Sequence, residues 1–160
     1  MKSHEYRILS SDPKQTLRYG ARLGRHVEPG SVIALAGELG AGKTCLTQGI
    51  AEGLEVPEGF IVTSPTFAII NEYPGRLKLY HVDLYRIIDV SELEEIGLEE
   101  MLAGDGVTVI EWADKLPEVL PGQRLDAVIA FIDDKTREIR LTAYGQDVIK
   151  WMNHVSKETL

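Results

Sequence analysis

The segment SVIALAGELGAGKTCLTQGI, residues 31–50, places a glycine-rich loop between an apolar run and a stretch with helical spacing. The run SVIALA is short, apolar and partly β-branched, which is typical of a buried strand. Beyond the loop, Leu46, Ile50 and Leu54 recur at helical spacing and predict a helix over 44–54. The sequence therefore predicts a strand, a flexible loop and a helix in direct succession.

The loop from Gly37 to Thr44 follows the pattern of a glycine, four residues, a glycine, a lysine and a serine or threonine. This is the Walker A pattern, in which backbone N–H groups and the positive end of a helix dipole bind phosphate. Lys43 is predicted to be exposed at the loop and to reach the terminal phosphates, and the Thr44 hydroxyl is predicted to bind Mg²⁺. A purely structural glycine turn is disfavoured because strand, motif and helix coincide.

Composition indicates one globular domain over 1–160, since 44% of the 160 residues are hydrophobic and 26% are charged. The polar start MKSHEYRILS and the lack of a long apolar segment predict a cytoplasmic protein with no membrane contact. The single cysteine, Cys45, fits a reducing compartment. The net charge of −8 disfavours an extended contact with nucleic-acid phosphates, so any nucleic-acid role is expected to be indirect.

Strands and helices alternate along the chain, which predicts an α/β fold with a mostly parallel sheet flanked by helices. Strands are expected over 5–10, 31–36, 77–83 and 106–112, and helices over 10–27, 44–54 and 91–102. The last helix begins with a capping box formed by Ser91 and Glu94. Segments 126–132 and 137–144, joined by DDKT, predict a C-terminal antiparallel hairpin, so the sheet is mixed. The tail over 146–160 is either helical or frayed.

Two acids stand at predicted strand ends, where the ligands of open α/β sheets collect. Asp83 ends the stretch LYHVD, and Glu111 ends the stretch VTVIE. Beside a Walker A loop, either carboxylate is predicted to orient magnesium, directly or through water, or to position the attacking water. The alternative for each acid is a simple loop cap.

The segment TSPTF, residues 63–67, lies between the Walker A helix and the strand that ends at Asp83. The hydroxyls of Thr63, Ser64 and Thr66 are candidates to sense the terminal phosphate or its magnesium ion, as a switch segment does. An ordinary turn before FAII is an equal alternative.

Two further side chains carry weaker signals. His81 lies on a predicted strand, where a single histidine is more often packed or exposed than a ligand. Cys45 lies in the first turn of the Walker A helix and is predicted to be a small buried residue.

Five motifs, GELGAGKT, SPTF, HVDLYR, ELEEIG and IEWADK, occur in this order and resemble TsaE, a family of small bacterial P-loop ATPases. The resemblance covers residues 5 to 145, and the set of five is more specific than Walker A alone. It implies a P-loop NTPase-like fold and an ATPase that uses ATP with Mg²⁺. It also implies the TsaD and TsaB proteins as partners in forming threonylcarbamoyladenosine beside the anticodon of tRNA, with the transfer itself carried out by TsaD.

The resemblance assigns roles to individual residues. It implies that phosphate is bound by Glu38, Leu39, Gly40, Ala41, Gly42, Lys43 and Thr44. It implies that Thr44 and Glu111 hold magnesium and that Asp83 is the Walker B acid, so Lys43, Asp83 and Glu111 form the catalytic set and Thr44, Glu111 and Asp83 the metal set.

The remaining assignments rest on looser analogy. By this analogy, residues near Ser10 and Ser11, together with Arg137, are expected to border the adenine, and Thr66 is expected to join the nucleotide-binding residues. Trp112 follows Glu111 as in the family's Glu-Trp pair and is expected to be an exposed aromatic that contacts a partner. Cys45 stands where the family commonly has a second threonine.

Three other classes of nucleotide-binding protein are alternatives to the ATPase. A small-molecule P-loop kinase needs an arginine-bearing lid, whereas the stretch 92–106 is acidic and has no arginine. A GTPase is disfavoured, because Asp83 is followed by LYR and no Asn-Lys-x-Asp motif occurs. A nucleotide-binding assembly module without turnover shares every phosphate-binding residue and stays open. Without a lid, the ATPase is expected to be slow alone and to be stimulated by its partners.

Overall fold

The computed structural model describes residues 1–158, which contain a seven-stranded sheet with helices on both faces. The strands are β1 (Ser3–Ser10), β2 (Val32–Gly37), β3 (Ile70–Tyr73), β4 (Leu79–Asp83), β5 (Val107–Glu111), β6 (Arg124–Phe131) and β7 (Arg137–Tyr144). The helices are α1 (Pro13–His26), α2 (Lys43–Gly53), α3 (Ser91–Glu95), α4 (Leu98–Ala103) and α5 (Gln146–Lys157). Two short 3-10 helices cover Ala113–Lys115 and Pro117–Val119. None of the helices in this part of the chain is both long and apolar enough to cross a bilayer.

The sheet has the strand order β1-β7-β6-β2-β5-β4-β3. Its four central strands, β6, β2, β5 and β4, are parallel, whereas β7 and β1 at one edge and β3 at the other join antiparallel. The predicted mixed α/β sheet is therefore confirmed, and so is the C-terminal hairpin, in which Phe131 of β6 faces Arg137 of β7. Parallel pairing of β2 with β5 brings their carboxyl ends to one edge of the sheet.

Helices α1 and α2 cross at backbone contact, with their N-termini side by side. A Cβ placed on Gly20 would lie 2.4 Å from the carbonyl oxygen of Leu46, and one on Gly53 would lie 2.2 Å from that of Ala21. Only glycine leaves room for so close an approach. The crossing fixes the start of α2, and with it the Walker A loop, against the start of α1.

The start of α1 is fixed by a side-chain cap and a proline. Asp12 is the N-cap, and its side-chain oxygen accepts a hydrogen bond from the Gln15 N–H at 2.8 Å. Pro13 occupies the first helical position, where its missing N–H costs nothing.

The prediction of one helix over 91–102 is wrong. The segment forms α3 and α4, separated at Gly97, which has φ 78° and ends the helical run. The predicted capping box is also wrong, because Val90 is the N-cap and makes no side-chain cap bond. The Glu92 carboxylate instead accepts hydrogen bonds from the N–H groups of Ile88 and Asp89 at 2.9 and 3.0 Å.

The structure also defines two elements that were not assigned from the sequence. The short edge strand β3 was not predicted, since its four residues carry no clear alternation. The ambiguous tail forms α5, which buries Val148, Trp151, Met152 and Val155 against the sheet. The part of that predicted tail beyond residue 158 lies outside the described residues.

Candidate functional site

The Walker A loop joins the carboxyl end of β2 to the first turn of α2. Gly40 and Gly42 have φ of 81° and 117°, in the left-handed region that residues with a Cβ rarely adopt. Gly42 is the N-cap of α2, so the first turn of the helix begins at Lys43. The N–H groups of a first helical turn lack intrahelical acceptors, and the helix dipole is positive there. This end of α2 is therefore suited to bind an anion.

Lys43 is held inside the loop. Its Nζ donates to the carbonyl oxygens of Gly37 at 2.6 Å and Glu38 at 3.0 Å, and it lies 4.0 Å from the ring centroid of Trp112. The expectation of an exposed Lys43 is wrong, because only 5% of the residue is exposed. The side chain folds back under the loop, where the carbonyl oxygens and the face of the indole ring stabilise its charge.

Burial also shifts the acid–base balance of this lysine. Desolvation lowers the pKa of Lys43, while the nearby carboxylates of Glu111, Asp114 and Asp83 oppose that shift. The opposing carboxylates lie on the side where the strands β4 and β5 end, so the lysine and the acids share one electrostatic environment.

Strand alternation places the acids beside the loop. In the parallel register of β4 and β5, Asp83 pairs with Glu111 and His81 pairs with Val109. Side chains two residues apart point to the same face of a sheet. Val109 belongs to the core cluster that contains α1 and α2, so all four side chains face α2. The two predicted acids are therefore neighbours under the Walker A helix.

Glu111 is the centre of a hydrogen-bonded cluster and is only 2% exposed. The Thr44 hydroxyl donates to Glu111 Oε1 at 3.2 Å, and the Ser64 hydroxyl donates to Oε2 at 3.2 Å. The two hydroxyl oxygens also lie within hydrogen-bond distance of each other, and because each hydroxyl has one proton, the bond between them forms only when one of the two does not donate to Glu111. His81 Nε2, on the neighbouring strand β4, donates to Oε2. The cluster joins the Walker A threonine, the predicted switch segment and the end of β5.

Asp83 lies next to this cluster and is 4% exposed. Its Oδ1 accepts a hydrogen bond from the Tyr85 N–H at 2.8 Å. Burial raises the pKa of Asp83 and the charge of Glu111 adds to the rise, whereas the Tyr85 N–H acts in the opposite direction. The carboxylate therefore lies where its charge is costly, as is common at functional sites.

The structure places the three hydroxyl groups of the segment TSPTF in two different environments. Ser64 and Thr66 line a cavity of about 410 Å³ together with Lys43, Asp83 and other residues of the site. Thr63 is exposed, and its carbonyl oxygen accepts from the Asn71 side chain at 3.4 Å. The structure thus brings two of the three candidate hydroxyls to the cleft.

A second cavity, of about 480 Å³, adjoins the loop on its other side. It is lined by the start of α1, the loop and the β6–β7 turn, and its lining includes Ser11, Ala41, Arg137 and Cys45. Both cavities share Gly40, Gly42 and Cys45. A groove therefore runs past the loop from the acids to a recess between α1 and the hairpin turn.

Ser10 does not belong to this recess. It is buried, and its hydroxyl bonds to that of Thr16 at 2.7 Å and donates to the Asp12 carbonyl at 2.9 Å. The Ser10 side chain fixes the start of α1, and of the pair Ser10 and Ser11 only Ser11 lines the recess.

Arg137 has an arrangement that limits its motion. Its Nη1 donates to the carbonyl oxygen of Asp133 at 3.0 Å, and its guanidinium lies 4.1 Å from the Phe131 ring centroid. The planar group thus forms a flat wall of the recess beside the β6–β7 turn. A flat cationic wall is suited to stack on a planar ring such as a nucleobase.

The loop tip contributes in two ways. Leu39 is 81% exposed and lines the cavity with the acids. The Glu38 carbonyl accepts from the Ala41 N–H at 3.0 Å as well as from Lys43, so the backbone of Glu38 shapes the loop, and its side chain is exposed.

Two expected exposures are corrected. Cys45 was predicted to be buried, but it is half-buried at the cavity wall, where its Sγ donates to the Pro13 carbonyl at 3.3 Å. Burial raises the pKa of its thiol. Trp112 was expected to be an exposed aromatic, but it is half-buried, with its ring 4.9 Å from that of Tyr85. It has φ 59°, an unusual conformation for a bulky residue.

The oxygen atoms around Glu111 are of the kind that binds magnesium. Hydroxyl and carboxylate oxygens converge from Thr44, Ser64, Glu111 and Asp83, and Mg²⁺ prefers hard oxygen ligands. Within residues 1–158, no group of three or more His, Cys, Asp or Glu side chains forms a self-contained metal site. A magnesium ion bound with nucleotide phosphates uses only one or two carboxylates.

His81 is the functional contact that the sequence did not reveal. The sequence left His81 open between a packed and an exposed side chain; the residue is 0% exposed, and its bond to Glu111 was missed. The available signal was its spacing, because His81 stands two positions before Asp83 and so faces the same side.

A mixed α/β sheet, a Walker A loop opening α2 and buried acids at the adjacent strand ends together define a P-loop nucleotide-binding protein. The family model described as "Threonylcarbamoyl adenosine biosynthesis protein TsaE" matches residues 10–139. The chain therefore belongs to the TsaE family.

Individual relatives agree along most of the chain. The tRNA threonylcarbamoyladenosine biosynthesis protein TsaE of Bacillus subtilis is 45% identical over 146 residues, covering 91% of this chain and 89% of that protein. The protein of the same name in Treponema pallidum is 41% identical over 133 residues, covering 83% and 97%. The crystal structure of Bacillus subtilis YdiB superposes with a TM-score of 0.85 at 37% identity, covering 98% and 97% of the two chains.

Proposed function

We propose that this chain takes part in the synthesis of threonylcarbamoyladenosine in tRNA by binding and hydrolysing ATP with Mg²⁺ in the groove beside the Walker A loop. The observation that carries the proposal is the cluster in which Thr44 of the loop bonds to Glu111 next to Asp83 and Lys43. The pathway is supported by membership of the TsaE family and by the names of the relatives.

The groove offers a separate place for each part of ATP. The N-terminus of α2 and Lys43 bind the phosphates, because both supply positive charge to the loop. Ser11 and Arg137 border the recess on the other side, which accommodates the base.

The two acids, Glu111 and Asp83, have different proposed roles. Thr44 and Glu111 hold the magnesium ion, and Asp83 is the neighbouring Walker B carboxylate. When bound there, magnesium would neutralise negative charge on the phosphate oxygens during phosphoryl transfer to water. Asp83 or Glu111 orients the attacking water, since both carboxylates lie at the same end of the sheet. Ser64 links the segment TSPTF to this cluster, so the segment responds to the state of the site.

Hydrolysis by the isolated chain is expected to be slow. The acidic stretch 92–106 offers no arginine to cover the phosphates, and a group supplied by a partner completes the site of other P-loop enzymes. The resemblance points to TsaB and TsaD as the proteins that supply it. Trp112 is the proposed partner contact, because it is a half-buried aromatic that lines the cavity and contacts Tyr85 and Lys43.

The test is ATP turnover of the isolated chain, then with rising amounts of TsaB and TsaD, and finally with tRNA. We expect slow turnover alone, stimulation by the two proteins, and weaker stimulation for Trp112→Ala than for wild type. Trp112→Phe is the matched control because it keeps an aromatic ring beside Lys43. A fast ATPase that ignores the partners would contradict the proposal, and so would phosphorylation of a small metabolite. ATP binding without turnover in the full assembly would favour the assembly module.

A further inference from the structure

A buried histidine lies beneath the proposed metal site and has no assigned role. His81 is 0% exposed, although its imidazole is polar and the surrounding face of β4 and β5 is otherwise apolar at Leu79, Val107 and Val109. Burying a polar ring costs free energy that an aliphatic residue at this position would avoid. A histidine at this position is therefore expected to have a function that an aliphatic residue could not provide.

The hydrogen bonds of His81 point to that reason. Its Nε2 donates to Glu111 Oε2, while its Nδ1 has no partner among residues 1–158. The Glu111 carboxylate is thus the single polar group that the ring serves within the described structure. Because the ring is packed in the sheet core, its N–H has a fixed direction, unlike the hydroxyls of Thr44 and Ser64, which rotate.

As a result, the two carboxylate oxygens of Glu111 have different hydrogen-bond donors. Oε2 accepts from His81 and, at 3.2 Å, from Ser64, whereas the closest donor to Oε1 is Thr44, at 3.2 Å. Rotation of the carboxylate would break the buried bond to His81 and leave the N–H unsatisfied, which is costly. The carboxylate therefore keeps one oxygen toward the Walker A threonine.

We propose that His81 is a positioning residue that locks the Glu111 carboxylate for the metal, acting from beneath the site without touching nucleotide. The proposal rests on the proposed function above. Partners of metal-binding carboxylates in other proteins change metal affinity about 10–100-fold when they are removed. The effect on this chain should therefore appear in the magnesium dependence and not in binding of the nucleotide by itself.

The experiment measures ATP binding by the isolated chain during a Mg²⁺ titration, with a matching measurement in excess chelator. The variants are His81→Leu, which removes the donor, and Val109→Ala, which disturbs packing beside His81 while keeping it. We expect the Mg²⁺ midpoint of His81→Leu to rise about tenfold or more. Chelator-insensitive binding should stay as in wild type, and Val109→Ala should keep the wild-type midpoint.

A second pair of variants separates hydrogen bonding from folding. The amide nitrogen of glutamine reaches the place of Nε2, whereas that of asparagine is too short to reach it. His81→Gln is expected to retain the wild-type midpoint, and His81→Asn is expected to raise it. Equal midpoints for these two variants, or a wild-type midpoint in His81→Leu with only a lower melting temperature, would overturn the proposal. Wild-type binding that ignores Mg²⁺ would instead contradict the proposed function.

Discussion

Replacing Gly49 by alanine tests how the fold holds the nucleotide loop in place. Gly49 lies on α2 where the helix crosses α1, and a Cβ there would stand 2.2 Å from the Leu17 carbonyl oxygen and 2.9 Å from the Gly20 Cα. Both obstacles are backbone atoms, so no side chain can turn away to make room. The two helices must move apart or bend, and the starts of both helices line the recess beside the loop.

The magnitude follows from two opposing terms. Alanine is favoured over glycine inside a helix by about 1 kcal/mol. Overpacking costs about 1–3 kcal/mol, and a 2.2 Å approach to backbone belongs at or above the upper end of that range. The net loss is therefore about 2 kcal/mol. For a chain of this size that loss lowers the melting temperature by about 4–8 °C.

Thermal unfolding followed by circular dichroism measures this effect directly. The matched control is Gly59→Ala, because Gly59 is exposed and a Cβ there meets nothing within 4 Å. The control should be neutral or slightly stabilising. If Gly49→Ala melted at or above the wild-type temperature, the close crossing of α1 and α2 would not be the constraint that we infer.

Two further predictions concern buried charges at the site. Lys43→Met keeps a chain of similar length without the amine, so turnover should fall on the order of a hundredfold or more while the melting temperature is retained, as measured by a phosphate-release assay and thermal unfolding. Asp83→Asn should stabilise the fold at neutral pH. Burial raises the pKa of Asp83, so wild-type stability falls as pH rises through that raised pKa, and the asparagine variant lacks this fall.

The corresponding refutations are direct. Normal turnover in Lys43→Met would exclude Lys43 from phosphate binding. For Asp83, the difference in melting temperature between variant and wild type should widen from acidic to neutral pH. A difference that is constant with pH would show that the charge of Asp83 carries no penalty in the folded chain.

The sequence revealed those parts of the fold that local pattern determines. The Walker A loop, the strand before it and the helix after it follow from glycine spacing and apolar periodicity, and the observed β2 and α2 match them within a residue. The β6–β7 hairpin was equally readable, because alternation and a polar turn predict both strands. Asp83 and Glu111 were found because each ends a strand beside the loop.

The remaining features depend on contacts distant in sequence. The break between α3 and α4 arises at Gly97, which local helix signals alone did not predict. The burial of Lys43 depends on the ring of Trp112, which is 69 positions away in sequence and has its own unusual φ. The bond from His81 to Glu111 depends on the register between β4 and β5. Periodicity predicts the face of the sheet on which a side chain lies, but not which residue of the neighbouring strand it meets.

The central claim is that Glu111 serves magnesium-dependent ATP hydrolysis at the Walker A loop. Glu111→Gln keeps the shape of the side chain and can still bond to Thr44 and Ser64, but it removes the charge. The direct measurement compares ATP affinity with single-turnover hydrolysis for wild type and Glu111→Gln, with TsaB and TsaD present. We predict that the variant still binds ATP while its Mg²⁺-dependent hydrolysis collapses. Wild-type hydrolysis in a variant with only a changed melting temperature would contradict the account.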